Sequence, residues 1–134
     1  MYKNILIPVA LDHDDAARAS LEVARALAAE GARLTVIHVI EETPSYVAAY
    51  IPEETLRHNR EEARRHVAAL AEGVGAAHEV VSGHAARTIV RYAEDHGADC
   101  IVLASHKPGL EDYFLGSTAA HVVRHARCSV HVMR

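Results

Sequence analysis

"YKNILIPVALDHDDAARASLEVARALAAEGARLTVIHVI", residues 2–40, decides the fold. Ile5–Val9 is a continuous apolar run, the pattern of a strand buried on both faces. "LDHDD" at 11–15 is a polar turn offering several helix N-caps. Ala17, Leu21, Ala24 and Ala28 then recur at helical spacing until Gly31 stops the pattern. Leu34–Val39 is a second apolar strand. Strand, helix and strand within this length make a βαβ unit, whose crossover is right-handed in nearly all proteins.

Outward from this unit the alternation continues. "EETPSYVAAYIPEE", residues 41–54, is irregular and punctuated by Pro44 and Pro52. Residues 42–52 suit a flap over the crevice, a helical connection or part of a partner surface, but the preferred expectation is that their Tyr, Val and Ile side chains cover the sheet's edge. Pro52 suits the first turn of a long helix from about Glu53 to Ala71, with Leu56, Ala63, Val67 and Leu70 as its inward stripe. "EGVGA" ends that helix, and His78–Val81 predicts a third strand. Ala86, Ile89, Val90 and Ala93 form the next amphipathic stripe, closed by Gly97. "CIVLA" within Asp99–Ala104 predicts a fourth buried strand. A helix over Ser117–His125 and a short strand over Ser129–Met133 complete the series. No composition shift interrupts it, so the expectation is one domain over 1–134: α/β, an open five-stranded parallel sheet with helices on both faces.

Composition narrows the function. The chain has 134 residues and a net charge of −4, which argues against a general nucleic-acid binder. Residues 104–134 carry a local charge of +2, so an anionic small ligand suits that end better than the rest. Cys100 and Cys128 lack metal-motif spacing and are expected as buried free thiols in a reducing compartment. "MYKNILIPVA" is a poor signal peptide and too short to span a bilayer, so no membrane role and a cytoplasmic location are expected.

Ligands of open parallel sheets sit beyond the C-terminal strand ends, here Val9–His13, Val39–Glu42, Ser82–His84 and Ala104–Gly109. The helix opening near Ser117 can reach the same edge, where its first amides lack partners and its dipole favours negative charge. Gly116 permits close backbone approach, and Ser117 and Thr118 add hydroxyl donors. Two readings stand: Ser117 caps a helix, or 116–118 seats the phosphates of a ligand. Neither GxxxxGK[ST] nor GxGxxG occurs.

"YKNILIPV", "LTVIHVIEE" at 34–42, "VVSGHAARTIVRYAEDHGADCIVLASH" at 80–106 and "LGSTAAHVVRHARCSVHVMR" at 115–134 resemble the universal stress protein family. The terminal block resembles its small bacterial subgroup with an ASH(R/K)P…LGS loop. This resemblance implies strand order 3-2-1-4-5, a homodimer through the last strand (Ser129–Met133), and binding of ATP or AMP, with magnesium a candidate companion. The family's motif is glycine, two residues, glycine, nine residues, then glycine with Ser or Thr. Its first glycine falls on Ala104, followed by Ser105 and His106, and its second at about Lys107. Gly116 and Ser117 match the closing pair, with a loop one residue shorter. Ala104 narrows the ribose-phosphate space, which the flexible Lys107 ammonium partly offsets. After Pro8 and Val9 the family usually has Asp; this chain has Ala10, and losing a buried carboxylate contact is worth about 1–3 kcal/mol. Val39 corresponds to the apolar residue flanking adenine, and Gly83 to a small residue at the crevice edge.

Other residues have duller explanations. His121 and His125 share a helix face, but "HVVRH" holds no HExxH glutamate, and a solvated surface pair is expected. His106 either contacts a phosphate or supports its loop. His13 and His84 fall at the same sheet edge and raise the prospect of a pH-sensitive anion site. Asp12, Asp14 and Asp15 fit an acidic helix start better than a magnesium site. Ser105 and His106 are adjacent without a GxSxG elbow or a legible triad, so no catalytic residues and no metal ligands are assigned. The expected function is a nucleotide-binding stress-response or regulatory protein. An interaction module with lost ATP binding and a slow nucleotide phosphatase are the alternatives.

Overall fold

The predicted strand–helix–strand unit forms β1 (Tyr2–Pro8), α1 (Asp14–Leu27) and β2 (Ala28–Ile40) in the computed structural model, which describes residues 1–105 and 115–134. After it come α2 (Ser45–Ala48), α3 (Glu53–Glu72), β3 (Ala77–Ser82), α4 (Ala85–Asp95), β4 (Cys100–Ala104), α5 (Ser117–His125) and β5 (Ser129–Met133). The five strands form one parallel sheet in the order β3-β2-β1-β4-β5, as the resemblance implied. Strand order reverses between β1 and β4, which opens a crevice at their C-terminal ends.

Both faces of the sheet are covered, which is why its central strands are apolar throughout. Along β1, Ile5 and Ile7 pack toward α1 and α3 with Leu21, Ala24, Val67 and Val102. Leu6, between them, points the other way and joins Ile89, Ile101 and Val122 under α4 and α5. Period-two alternation thus feeds two cores from one strand. At the opposite edge, the Asp99 carboxylate accepts from the Lys3 and Asn4 amides at 2.8 and 3.0 Å, pinning the start of β1 to β4.

Three expectations are corrected. Helix α1 stops at Leu27, and Gly31 (φ +74°) instead lies inside β2. The pairing jumps there from Tyr2↔Ala28 to Asn4↔Arg33, so the helix-favouring Ala28 and Ala29 are recruited to the sheet by tertiary pairing. In α3, Val67 and Leu70 are buried, but Leu56 is 36% exposed. The 20-residue helix is about 30 Å long and the six-residue β3 it packs on about 20 Å, so its first turns overhang the sheet. Nor do residues 42–52 cover an edge: α2 buries none of its residues, and Tyr46 and Tyr50 are 74% and 89% exposed.

The cysteines are free, Cys100 buried and Cys128 half-buried. Cys100 belongs to the core under α1 and α3, whereas Cys128 packs against the core under α4 and α5. Among the described residues, no helix is long and apolar enough to cross a membrane.

Candidate functional site

A cleft of about 360 Å³ opens at the switch point, bounded by the C-terminal ends of β1, β2 and β4 and by the starts of α4 and α5. Its apolar part is built by Val9, Ile37, Val39, Ile89 and Leu103. The first strand's apolar run therefore ends in the cleft floor. Its polar wall consists of Ser105, Gly116, Ser117 and Thr118.

That wall has unspent hydrogen-bonding capacity. Gly116 is the N-cap of α5, and among the described residues no side-chain cap hydrogen bond is made there. The reading of Ser117 as a cap is thereby overturned: it is the first helical residue. Ala120 donates to the Gly116 carbonyl at 2.9 Å. The amides of Ser117, Thr118 and Ala119 have no acceptor within the helix, and they stand at its positive end. The Gly116 amide itself donates to the Ser105 hydroxyl at 2.8 Å, leaving the Ser105 hydroxyl hydrogen available as a donor.

Gly116 has an ordinary φ of −59°, and among the described residues a Cβ placed on it would meet Ser105 Oγ alone, at 3.5 Å, a normal contact. The packing of the described residues does not require glycine here. Close approach by a ligand would.

His38 is a site residue that sequence reasoning missed. Its Nδ1–H donates to the Val9 carbonyl at 2.8 Å, which fixes the ring between β1 and β2. It lines both the cleft and an adjoining groove beneath α2 and α3. The available signal was one polar residue within the apolar run "VIHVI", which by itself names no ligand. Ile37, Ile89 and Leu103 were legible as core residues but not as cleft lining, and Glu41 also reaches the rim.

Of the expected residues, Pro8, Val9, Ala10, Val39, Ala104, Ser105, Gly116, Ser117 and Thr118 line this one cleft. His106 and Lys107 lie outside the described residues. Gly83 is absent from the lining. Its conformation (φ +148°) and the Thr88 Oγ1, 2.7 Å from where a Cβ would lie, give it a backbone reason to be glycine. Pro8, Val9, Ala10 and Ala104 also border a side cavity of about 80 Å³ with His13. Ala10 brings no carboxylate there, and Asp12 instead pairs with His13 at 3.4 Å. His84 caps α4, its Nδ1 accepting from the Arg87 amide at 3.3 Å. Asp14 is engaged by His66 Nε2 at 2.7 Å, joining α1 to α3. Among the described residues, no group of three or more His, Cys, Asp or Glu side chains is arranged to hold a metal ion.

An open parallel sheet with a cleft at its switch point and a helix N-terminus in one wall is the arrangement in which open α/β proteins usually bind small ligands. Comparison with known sequences narrows it further: the chain belongs to the universal stress protein family, with the match running over residues 1–134. It is 35% identical over 139 aligned positions to "Universal stress protein in QAH/OAS sulfhydrylase 3'region" of Thermus aquaticus, covering 100% of both chains. Among solved structures it is similar to hypothetical protein MJ0577, with a TM-score of 0.82, 27% identity and coverage of 99% and 96% of the two chains. A universal stress protein from Archaeoglobus fulgidus, solved in complex with dAMP, shares the fold at a TM-score of 0.64 and 21% identity, with 99% and 98% coverage.

Proposed function

We propose that the protein binds an adenine nucleotide, ATP or AMP, in the switch-point cleft, and that it acts as a cytoplasmic stress-response or regulatory protein. One observation carries this reading: the first turn of α5, with three amides that have no acceptor within the helix and two hydroxyls, lines a cleft whose other lining is largely apolar, with Ser105, His38 and Glu41 as its further polar residues. Val39, Val9 and Ile37 offer flat apolar contact to a base. Ser105 faces a ribose, and the amides of Ser117, Thr118 and Ala119 receive phosphate oxygens. His106 and Lys107, following Ser105, extend the phosphate contacts, with magnesium accompanying ATP. The resemblance of the terminal block to the ASH(R/K)P…LGS subgroup supports assigning the chain to that subgroup. The dAMP complex of the Archaeoglobus protein supports the fold's capacity for such a ligand; the assignment to this chain rests on its own cleft.

Binding changes the protein's surface or its conformational populations and drives no dedicated turnover. A homodimer through β5 completes the reading, because β5 pairs with β4 on one side and among the described residues no strand pairs its other edge. Sedimentation across a concentration series tests it, and a monomer throughout refutes it.

One observation favours a second reading, an interaction module that has lost useful affinity: Ala10 lines the cleft where the family usually supplies a carboxylate. Purified protein separates the two. Small molecules released on denaturation are identified, and ATP, ADP and AMP are titrated with and without magnesium. Saturable binding supports the nucleotide reading, and its absence supports the module.

A further inference from the structure

Outside the cleft, basic side chains converge where α4 begins and α5 ends. The His121 and His125 rings stack with centroids 4.1 Å apart, and His84 brings its ring within 6.2 Å of His121. From α4, His84 and Arg87 act on His121; from α5, Arg124 and His125 do so. No described carboxylate is among those groups, and Glu94 of α4 is turned to Arg127 at 3.5 Å. Partial desolvation, followed by repulsion from these neighbours, holds His121 below the usual imidazole range.

The hydrogen bonds set the proton positions. His84 Nδ1 accepts from the Arg87 amide, so in the neutral ring Nε2 carries the hydrogen and is a donor. His125 Nδ1 donates to the His121 carbonyl at 3.0 Å. A metal ion is poorly served here, since His84 already uses one lone pair and two guanidiniums repel a cation. An oxyanion is well served. The rings of His84 and His121 lie within the span of one phosphoryl group, whose oxygens accept hydrogen bonds of about 2.8 Å.

We propose that His84, His121 and His125, with Arg87 and Arg124, form a receptor for a phosphoryl group, which binds with uptake of a proton. The bound anion relieves the like-charge repulsion and allows His121 to charge, so binding tightens as pH falls. His84 immediately precedes Ala85, and His121 stands one turn beyond Thr118; both Ala85 and Thr118 line the cleft. The phosphoryl group is therefore either free phosphate or the terminal phosphate of a molecule seated in the cleft.

The test is an NMR titration of the histidine ring signals between about pH 5 and 8, in chloride, inorganic phosphate, AMP and ATP at matched ionic strength. Phosphate is expected to raise the His121 midpoint by about 0.5–1 unit, equivalent to roughly 3- to 10-fold tighter binding by the protonated form. His84→Asn with Arg87→Gln removes the shift while keeping a capping residue ahead of α4. Arg124→Gln, at an exposed position, provides a second variant. A shift with ATP but not with free phosphate or AMP identifies the terminal phosphate as the source. If neither phosphate nor ATP moves the midpoint, or if the shift survives both variants, the proposal is overturned. Because free phosphate is one arm, this result does not depend on nucleotide binding in the cleft.

Discussion

The Ser105 hydroxyl accepts a hydrogen bond from the Gly116 amide at 2.8 Å, tying the end of β4 to the start of α5. Ser105 is itself held by its amide, which donates to the Met133 carbonyl at 2.7 Å. The polar wall of the cleft is thus anchored to β5. Ser105→Ala leaves the Gly116 amide without this partner and should cost about 1 kcal/mol of stability, read from urea denaturation. An unchanged midpoint would show that the tie contributes nothing.

Gly83 predicts a larger effect. Its φ of +148° lies where side chains are strained, and a Cβ would press on Thr88 Oγ1 at 2.7 Å. Gly83→Ala is expected to destabilise by about 1–3 kcal/mol. Adding Thr88→Ala should recover the steric part and leave the backbone strain. If Gly83→Ala melts at the wild-type temperature, the assignment of Gly83 as a structural glycine fails.

Asp99 gives stability a pH dependence. Burial pulls its carboxyl upward, but hydrogen bonds from the Lys3, Asn4 and Asp99 amides, with the Lys3 charge, outweigh that and hold it below the usual range. A depressed folded-state value means that its stabilisation is present above the unfolded carboxylate pKa. It is lost as pH falls through the lower folded value. Asp99→Asn should be less stable than wild type at pH 7, by about 1 kcal/mol given its exposure, and the gap should close toward acid. A gap independent of pH would remove the carboxylate from the account.

The thiols should be slow to react. Burial, then the neighbouring Cys128 and Asp99, push Cys100 up to about 11, and burial also raises Cys128. At pH 8 the native protein should label much more slowly with a thiol reagent than the unfolded chain, with Cys100 the slower of the two. Rapid labelling of Cys100 in native protein would contradict its placement in the core.

How far these features were readable depends on what each signal encodes. The bounds of α5 and β5 match the sequence reading because a glycine and a polar break flank short apolar segments. The α1–β2 boundary does not, because "ALAAEGA" is a run of helix formers whose extended state is set by pairing with Tyr2 across the sheet. An apolar stripe told which face of α3 turns inward, but not how far β3 extends beneath it. Nine expected site residues meet in one cleft because strand ends and a helix start are visible in the sequence. His38 was missed because its importance lies in a carbonyl 29 residues away. Gly83 was placed at the crevice edge by the family resemblance, and its backbone angle and the nearness of Thr88, which give it a structural reason to be glycine, are not legible in the sequence.

The most direct test of the account is Gly116→Ala, measured for both stability and nucleotide affinity. The residue's ordinary φ and the 3.5 Å contact predict a change in stability of less than about 1 kcal/mol. The added methyl would nevertheless stand at the N-cap of α5 in the cleft lining, and should weaken ATP or AMP binding about tenfold or more. Full affinity in the variant, with stability equally unchanged, would contradict the claim that these amides receive the phosphates.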